Sequence, residues 1–390
     1  MRDYSQNPRW LQYLSPFRNL TLSSGYLTPF FFLNGLSVAR IMILQAIFTI
    51  ASAGLTTHGG LIADRYGRAF SIRLGMLIST VGEIGYGFGH TYWQFIIGEL
   101  VLAVSRALIS GNDKALLVDT LYDLKRSDDY TKISQRINMY GWIAVVIGVP
   151  IAIGLAAFVG IRSTLIADGL LAGVGMIFAW KLGEAPRPIR HDEEQKLSAW
   201  CAAKQLARNA EVRWLVVLGS VLSTATYVTF WLSAPYYTEL GIPVIWFSAI
   251  LAARSLWKAW LSHRFKQRRR LERNMVSYAL MASLVYAAMA TGSLWLALAV
   301  LAHDIVLALS QSPIEAKLNK HMLPEYRATM NSLTGMVQQL TYSVAGPLTG
   351  LLADKAGLGT AFMTMGGAVG LITSIAIIRL HTFNAFREGR

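Results

Sequence analysis

Charged residues are scarce in this chain of 390 residues: they make up 15% of it, whereas hydrophobic residues make up 54%. Soluble globular domains contain about 25% charged residues. The shortage argues against a soluble domain and is typical of a protein that lies mostly in a lipid bilayer. Cysteine is also nearly absent, and because Cys201 is the single one, an intramolecular disulfide is excluded.

Long apolar runs fill most of the chain, and a bilayer-spanning helix needs roughly 20 mostly apolar residues. Only helices and closed barrels satisfy their backbone in lipid, and these runs are too continuous for the alternating pattern of barrel strands. The sequence therefore predicts an all-α membrane protein with twelve transmembrane helices. The predicted spans are 16–33, 39–62, 72–89, 93–120, 138–158, 163–182, 214–237, 244–261, 275–291, 293–317, 329–350 and 358–379.

The net charge of +14 is distributed unevenly between the two sides of the predicted membrane. Most of the 36 lysines and arginines fall in connections and tails on one side, whereas the opposite connections hold Arg162 and Lys355. The positive-inside rule then places both termini in the cytoplasm, in a multi-pass protein of the cytoplasmic membrane. The basic excess predicts contact with anionic lipid headgroups, and no nucleic-acid partner is expected.

The longest connection, residues 181–213, is first polar and proline-broken and then apolar and basic at helical spacing. That second part predicts an amphipathic helix on the cytoplasmic surface. The connection divides the chain into two pseudo-symmetric six-helix bundles, 1–180 and 214–390. Similar basic turns follow spans 2 and 8. Six-helix repeats of this kind are a transporter plan, in which substrate binds near the midplane between the halves.

A charged, glycine-bounded segment, GLIADRYGR, follows the second predicted span. It resembles the signature G-x-L-A-D-R-x-G-R of the major facilitator superfamily, with isoleucine in place of leucine and alanine in place of the usual next basic residue. The span count, the central connection and the internal repeat extend this resemblance over the whole chain. The residues that carry the signature are Gly60, Asp64, Arg65, Gly67 and Arg68.

The resemblance implies that this segment is a cytoplasmic gate. Gly60 is expected to permit close helix packing, and Gly67 a tight turn. In the superfamily the aspartate, here Asp64, approaches the start of span 11. The arginine partners an acid at the end of span 4, for which Asp119 is the expected position.

Other segments disagree about which subgroup of the superfamily the chain resembles. SGNDKALLVDTL, which closes span 4, resembles a pattern of bacterial members assigned to efflux. The drug/proton antiporter patterns fit poorly, because Arg106 stands five residues before Gly111 rather than four, and a valine separates Gly148 from Pro150. GLLADKAG at 350–357 looks like a second copy of the gate motif. The span count places it outside, so it is not expected to act as a gate.

The resemblance also implies that spans 1, 4, 7 and 10 line a central cavity. Glu99, Arg106 and Asp113 follow one another at steps of seven in span 4, so they are predicted to share one helix face. Charged residues inside a membrane are functional candidates by default. A carboxylate whose hydration alternates could load and release a proton, which is the hypothesis for Glu99 with Arg106, and for Asp304.

Further candidates for substrate binding or proton coupling stand in spans 7, 8 and 10. Arg254 suits an anionic substrate, whereas Lys258, on the same face of span 8, is expected to extend to the cytoplasmic interface. The remaining candidates are Tyr227, Gln311 and Glu315.

The sequence therefore predicts a secondary active transporter, expected to be a monomer, that exports a small organic compound in exchange for protons by alternating access. An uncoupled facilitator or an uptake system for an organic anion remains open, as does a non-transporting scaffold or a membrane-embedded enzyme. The chain lacks a phosphate loop, an H-E-x-x-H motif and a Cys/His cluster with metal spacing. No catalytic residue, metal or cofactor is therefore expected.

Overall fold

The structure is a computed structural model that describes residues 3–186, 204, 208–265, 275–293, 299–320 and 327–382. Within these ranges all regular elements are helical. Most of the predicted connection 181–213, including its amphipathic helix, lies outside the described residues, so that helix stays a prediction.

The α-helices of the described ranges follow the predicted apolar runs, numbered here in chain order. They are α1 (Asn7–Asn19), α2 (Leu27–Leu33), α3 (Val38–Tyr66), α4 (Arg68–Gly87), α5 (Tyr92–Ile109), α6 (Asn112–Asp123), α7 (Tyr130–Phe158), α8 (Arg162–Trp180), α9 (Ala210–Glu239), α10 (Phe247–Phe265), α11 (Met275–Ala290), α12 (Ala299–Lys320) and α13 (Arg327–Thr382). The last is interrupted at Gly357, where φ is 85°.

Six stretches of these helices are long and apolar enough to cross a membrane. They are Val38–Thr56, Tyr92–Asp123, Ser127–Phe158, Arg162–Trp180, Ala210–Glu239 and Leu333–Thr382. The last contains the break at Gly357 and covers parts of two predicted spans. The total of twelve spans stays a prediction.

Two predicted spans are each divided into two helices, so the expectation of continuous helices there was wrong. The run 16–33 contains the end of α1, a non-helical stretch at 20–26, and α2. The run 93–120 is divided between α5 and α6 at Ser110 and Gly111. Gly111 has a φ of 84°, a conformation that glycine adopts without strain. Hydropathy registers apolar side chains and therefore does not detect either break.

The break in the first span is stabilised by an acid on α8. The carboxylate of Asp168 accepts hydrogen bonds from the N–H groups of Leu22, at 2.7 Å, and Ser23, at 3.0 Å. Unwound backbone in apolar surroundings needs partners within the protein. Asp168 supplies two acceptors where the helical hydrogen bonds are lost.

The chain forms two compact units. Unit 1 consists of Met1–Leu36, Ile47–Ile189 and Val244–Ala252, and unit 2 of Ser37–Ala46, Arg190–Pro243 and Ala253–Arg390. In unit 1, α4 packs on α5 and α8, and α1 packs on α7 and α8. In unit 2, α9 and α11 pack on α12 and α13. The predicted bundle boundaries, 1–180 and 214–390, stay a prediction.

Within unit 2, an acid from the segment 350–357 caps the start of α3. The two carboxylate oxygens of Asp354 accept the N–H groups of Val38 and Ala39, each at 3.0 Å. Gly350 allows this approach, because a Cβ there would lie 2.9 Å from the Cα of Ala39. The motif-like segment thus supplies the acceptors that the first turn of a helix lacks.

We expect Asp354→Ala to lower the thermal stability of the detergent-purified chain. Loss of a side-chain cap destabilises a helix by about 1 kcal/mol, and here two N–H groups lose their acceptor. The measurement is the midpoint of thermal unfolding. Lys355→Ala, which removes the neighbouring exposed side chain, is the matched control and should leave the midpoint unchanged. Equal midpoints for the two variants would contradict the capping role.

Candidate functional site

The turn between α3 and α4 carries the gate motif and depends on Gly67. This residue has a φ of 111°, and a Cβ there would lie 2.6 Å from Oε2 of Glu184. The Glu184 carboxylate accepts the N–H groups of Arg68, at 2.7 Å, and Ala69, at 2.9 Å. Glycine is therefore required both for the turn and for the approach of this acid. Sequence reasoning missed Glu184; its place just after the sixth apolar run was the available signal.

An ion pair joins the motif to the end of the fourth predicted span. Nη1 of Arg68 lies 2.8 Å from Oδ2 of Asp119, and both side chains are largely buried. Asp64 and Arg65 are exposed at the end of α3. The expected approach of Asp64 to the start of span 11 stays a prediction, as does the gate function of the motif.

The expected close packing at Gly60 was wrong by one residue. A Cβ at Gly60 would meet no atom within 4 Å, whereas one at Gly59 would lie 2.2 Å from the carbonyl oxygen of Ala107 on α5. Successive residues of a helix are turned by about 100°. The face of α3 that contacts α5 therefore contains Gly59.

The pairing of Glu99 with Arg106 that the sequence suggested is not what the structure contains. Glu99 is buried and accepts a hydrogen bond of 2.9 Å from the hydroxyl of Tyr86 on α4. Arg106 is exposed, and its guanidinium lies 5.7 Å from the centre of the Phe48 ring on α3. The two side chains thus contact different neighbouring helices.

Asp113, the third charge of the predicted shared face, lies beyond the break at Gly111, on α6. Its Oδ2 is 2.6 Å from Nη1 of Arg18 on α1. A shared face requires one uninterrupted helix, and the break changes the direction of the chain. The prediction of one face for Glu99, Arg106 and Asp113 was therefore wrong.

Two acids on other helices lie within electrostatic range of Glu83 in the apolar part of unit 1. Glu83 on α4 interacts electrostatically with Asp168 on α8 and with Glu99 on α5. The helices are close there, because a Cβ on Gly169 would lie 3.2 Å from the Cβ of Glu83. Sequence reasoning treated the acids separately, since no sequence signal reports that three helices converge.

The corresponding polar cluster of unit 2 is centred on Arg254, which is 3% exposed. Its Nε lies 2.8 Å from Oδ2 of Asp304 and its Nη2 3.2 Å from Oδ1, so the pair is bidentate. Its Nη1 donates to the hydroxyl of Ser233 on α9, at 2.9 Å. Two separately predicted candidates, Arg254 and Asp304, are thus brought together, with a serine that sequence reasoning missed.

Lys258 belongs to the same cluster. Its Nζ lies 3.7 Å from Oδ1 of Asp304, so the expectation that it extends to the interface was wrong. It stands one turn after Arg254 on α10, and the buried carboxylate is within reach of both. His303 is also buried, and its ring lies edge-on to Tyr286 with centres 5.5 Å apart.

The remaining candidates either lie apart from this cluster or have side chains outside the described residues. Tyr227 is exposed on α9, with its ring 5.5 Å from that of Tyr342. Glu315 is exposed near the end of α12. The side chain of Gln311 lies outside the described residues.

The chain matches the family model of the Major Facilitator Superfamily over residues 19–346. It therefore belongs to this superfamily of membrane transporters, as the gate motif suggested.

Among curated proteins, the chain is similar to the quinolone resistance protein NorA of Staphylococcus aureus, with 22% identity over 200 residues. The match covers 51% of this chain and 48% of that protein, so the chain spans about half the length of the curated relatives it matches.

Among solved structures, the chain resembles the nucleoside transporter NupG, with 14% identity, a TM-score of 0.75 and coverage of 98% of this chain and 100% of that one. It also resembles a D-xylose–proton symporter, with 13% identity, a TM-score of 0.72 and coverage of 96% and 97%. These likenesses show a shared fold.

We expect Asp64→Asn to slow the transport cycle without abolishing substrate binding, because the motif is predicted to hold the cytoplasmic side closed. Transport rate in proteoliposomes and ligand affinity in detergent are measured separately. Asp128→Asn, at another exposed acid in a connection of unit 1, is the control. An equal loss of binding and rate would show that Asp64 is not part of a gate.

We expect Arg106→Ala to abolish transport while the protein still inserts, since a charge within the membrane-spanning stretch Tyr92–Asp123 is retained for function. Arg106→Lys keeps the charge and should retain part of the activity. Membrane insertion is checked by the yield of folded, monodisperse protein. Near wild-type flux in the alanine variant would remove Arg106 from the mechanism.

Proposed function

We propose that this chain is a secondary active transporter that exports a small organic compound across the cytoplasmic membrane in exchange for protons. In this proposal the bundles 1–180 and 214–390 open a central site alternately to the two sides of the membrane. Both termini are cytoplasmic. The observation that supports proton coupling is that three carboxyl side chains lie in the apolar part of unit 1. They are Glu83, Glu99 and Asp168.

Acids placed in a membrane-spanning region are expensive unless they are paired or hydrated. Several carboxyl groups near one another resist simultaneous ionisation, so a shared proton balances such a group when water is excluded. When the cavity opens to water, the acids can ionise and the proton leaves. A change of hydration during the cycle would thereby couple proton movement to the conformational change.

Glu99 is the member best placed to take up that proton. Tyr86 donates to it from α4 and fixes the carboxyl orientation. The two oxygens of Asp168 already accept the backbone N–H groups of Leu22 and Ser23, so that acid has a structural task. We therefore assign proton exchange to Glu99 and the support of the broken first span to Asp168.

Export as the direction is supported by two findings from sequence. The end of span 4 resembles an efflux pattern, and the similar protein from Staphylococcus aureus is a quinolone resistance protein. The fold itself is neutral on direction, because a proton symporter has a similar structure.

A second candidate function is favoured by unit 2. The buried Arg254 suits an organic anion, which an uncoupled facilitator or an uptake system could carry. Flux under an imposed pH gradient separates the two candidates: a coupled exporter responds to the gradient, and an uncoupled facilitator moves its organic anion equally well without it.

We expect Glu99→Gln to remove the pH-gradient-driven component of transport, by about tenfold or more, because glutamine cannot release a proton. The measurement is accumulation of a fluorescent quinolone in proteoliposomes with an imposed gradient. If the wild type does not transport it, a panel of organic ions is first searched for one that collapses the gradient. Exchange without a gradient should persist in the variant.

The control is Glu315→Gln, which neutralises an exposed acid of α12. Gradient-driven transport that is unchanged in Glu99→Gln, or lost equally in both variants, would contradict the assignment to Glu99.

A further inference from the structure

In unit 2 a buried cation and a partly exposed one lie around one buried acid. Arg254 binds Asp304 through two hydrogen bonds, and the ammonium of Lys258 lies near the same carboxylate. The three side chains sum to one positive charge. In the part of the chain that the structure describes, no second carboxylate forms an ion pair with either cation. A buried site with an unbalanced charge is unfavourable, so this cluster is suited to an anionic ligand.

Lys258 is the cation that remains available. Arg254 donates twice to Asp304 and once to Ser233, and it also bonds to Tyr237. The only described contact of the Lys258 ammonium is the ion pair at 3.7 Å, which is longer than a hydrogen bond. Its side chain is 32% exposed, whereas Asp304 is fully buried. An ammonium has three donors, and the partly exposed side chain leaves them accessible to a ligand.

One other polar side chain beside the cluster also lacks a hydrogen-bond partner. Both ring nitrogens of His303 are buried without a hydrogen bond among the described residues. Polar groups buried in this way carry a desolvation penalty that a ligand can relieve.

The net charge of the cluster stays at one positive charge when the other titratable groups that face it are included. Tyr237 from α9 bonds to Arg254, Tyr286 from α11 contacts His303, and His303 itself interacts with all three charged side chains. None of these side-chain types is an anion near neutral pH in its ordinary state. The positive excess is therefore left for a ligand to balance.

We propose that Lys258, beside the Arg254–Asp304 pair, binds the anionic group of the transported compound, which is an organic carboxylate. This proposal rests on the proposed function and names its substrate class. The carboxylate would contact the free donors of Lys258, while Arg254 stays on Asp304 and Ser233. Planar carboxylates and ammonium groups form short charge-assisted hydrogen bonds, which are about twice as strong as neutral ones.

The test is an equilibrium binding measurement on the full chain in detergent, without any gradient. Benzoate is the probe, benzamide its uncharged counterpart, and inorganic phosphate tests whether any oxyanion is sufficient. We expect benzoate at about 10 mM to bind saturably and to raise the unfolding temperature, since weak ligands have dissociation constants of about 1 mM. Benzamide should have no effect.

The variants locate the binding. Lys258→Gln should weaken benzoate binding by about tenfold or more, whereas Lys258→Arg should retain it. Lys355→Gln removes an exposed lysine elsewhere in unit 2 and should bind like the wild type. Without ligand, Lys258→Gln should unfold at the same or a higher temperature, because it removes an unbalanced charge. A lysine that merely stabilised Asp304 would give a lower temperature.

The outcomes separate this proposal from the proposed function. Absence of benzoate binding, binding of phosphate alone, or equal binding by wild type and Lys258→Gln would overturn the carboxylate site, even if pH-gradient-driven transport of another compound is found. Binding that depends on Lys258, in a protein whose transport ignores the gradient, would support the site and contradict the proton coupling.

Discussion

Backbone N–H groups at the start of a helix or within a break need an acceptor, and in a membrane that acceptor must come from the protein. Within the described ranges this requirement is met three times in the same way, by a carboxylate that accepts two consecutive N–H groups. Glu184 does so for α4, Asp354 for α3, and Asp168 for the unwound stretch between α1 and α2. The positions of the gate turn and of the broken first span depend on these bonds.

The same arrangement explains why several acids stand in so apolar a chain. Asp168 combines a structural task with membership of the acid group of unit 1, so its charge is partly stabilised by the amides that it binds. Asp304 is stabilised differently, by the bidentate guanidinium of Arg254 on α10. The acid group of unit 1 and the arginine–aspartate pair of unit 2 are thus stabilised by different kinds of partner.

Much of this could be predicted from sequence, because lipid imposes strong and simple constraints. Apolar runs located most helices, and the motif around Gly67 located the turn between α3 and α4 and the acid at Asp119 that contacts it. The family match agrees with that resemblance. The motif predicted this turn because a positive φ and a nearby carboxylate both require glycine at position 67.

The predictions that were wrong concerned the direction of side chains and the breaks within helices. Steps of seven placed Glu99 and Arg106 on one face, yet each long side chain found its contact on a different helix. Asp113 was misplaced because Gly111 ends the helix that the pattern assumed to be continuous. The meeting of Arg254, Lys258 and Asp304 depends on the packing of α10 against α12, and spacing along one helix does not encode the position of its neighbour.

Two helices have their first residues in one unit and the remaining residues in the other. The first residues of α3 belong to unit 2, and the first residues of α10 belong to unit 1. Neither helix has a glycine or proline near its division, so neither can bend there without losing backbone hydrogen bonds. Each is a continuous helix whose residues belong to both units. For α3, Asp354 fixes the first turn to the segment 350–357 within unit 2.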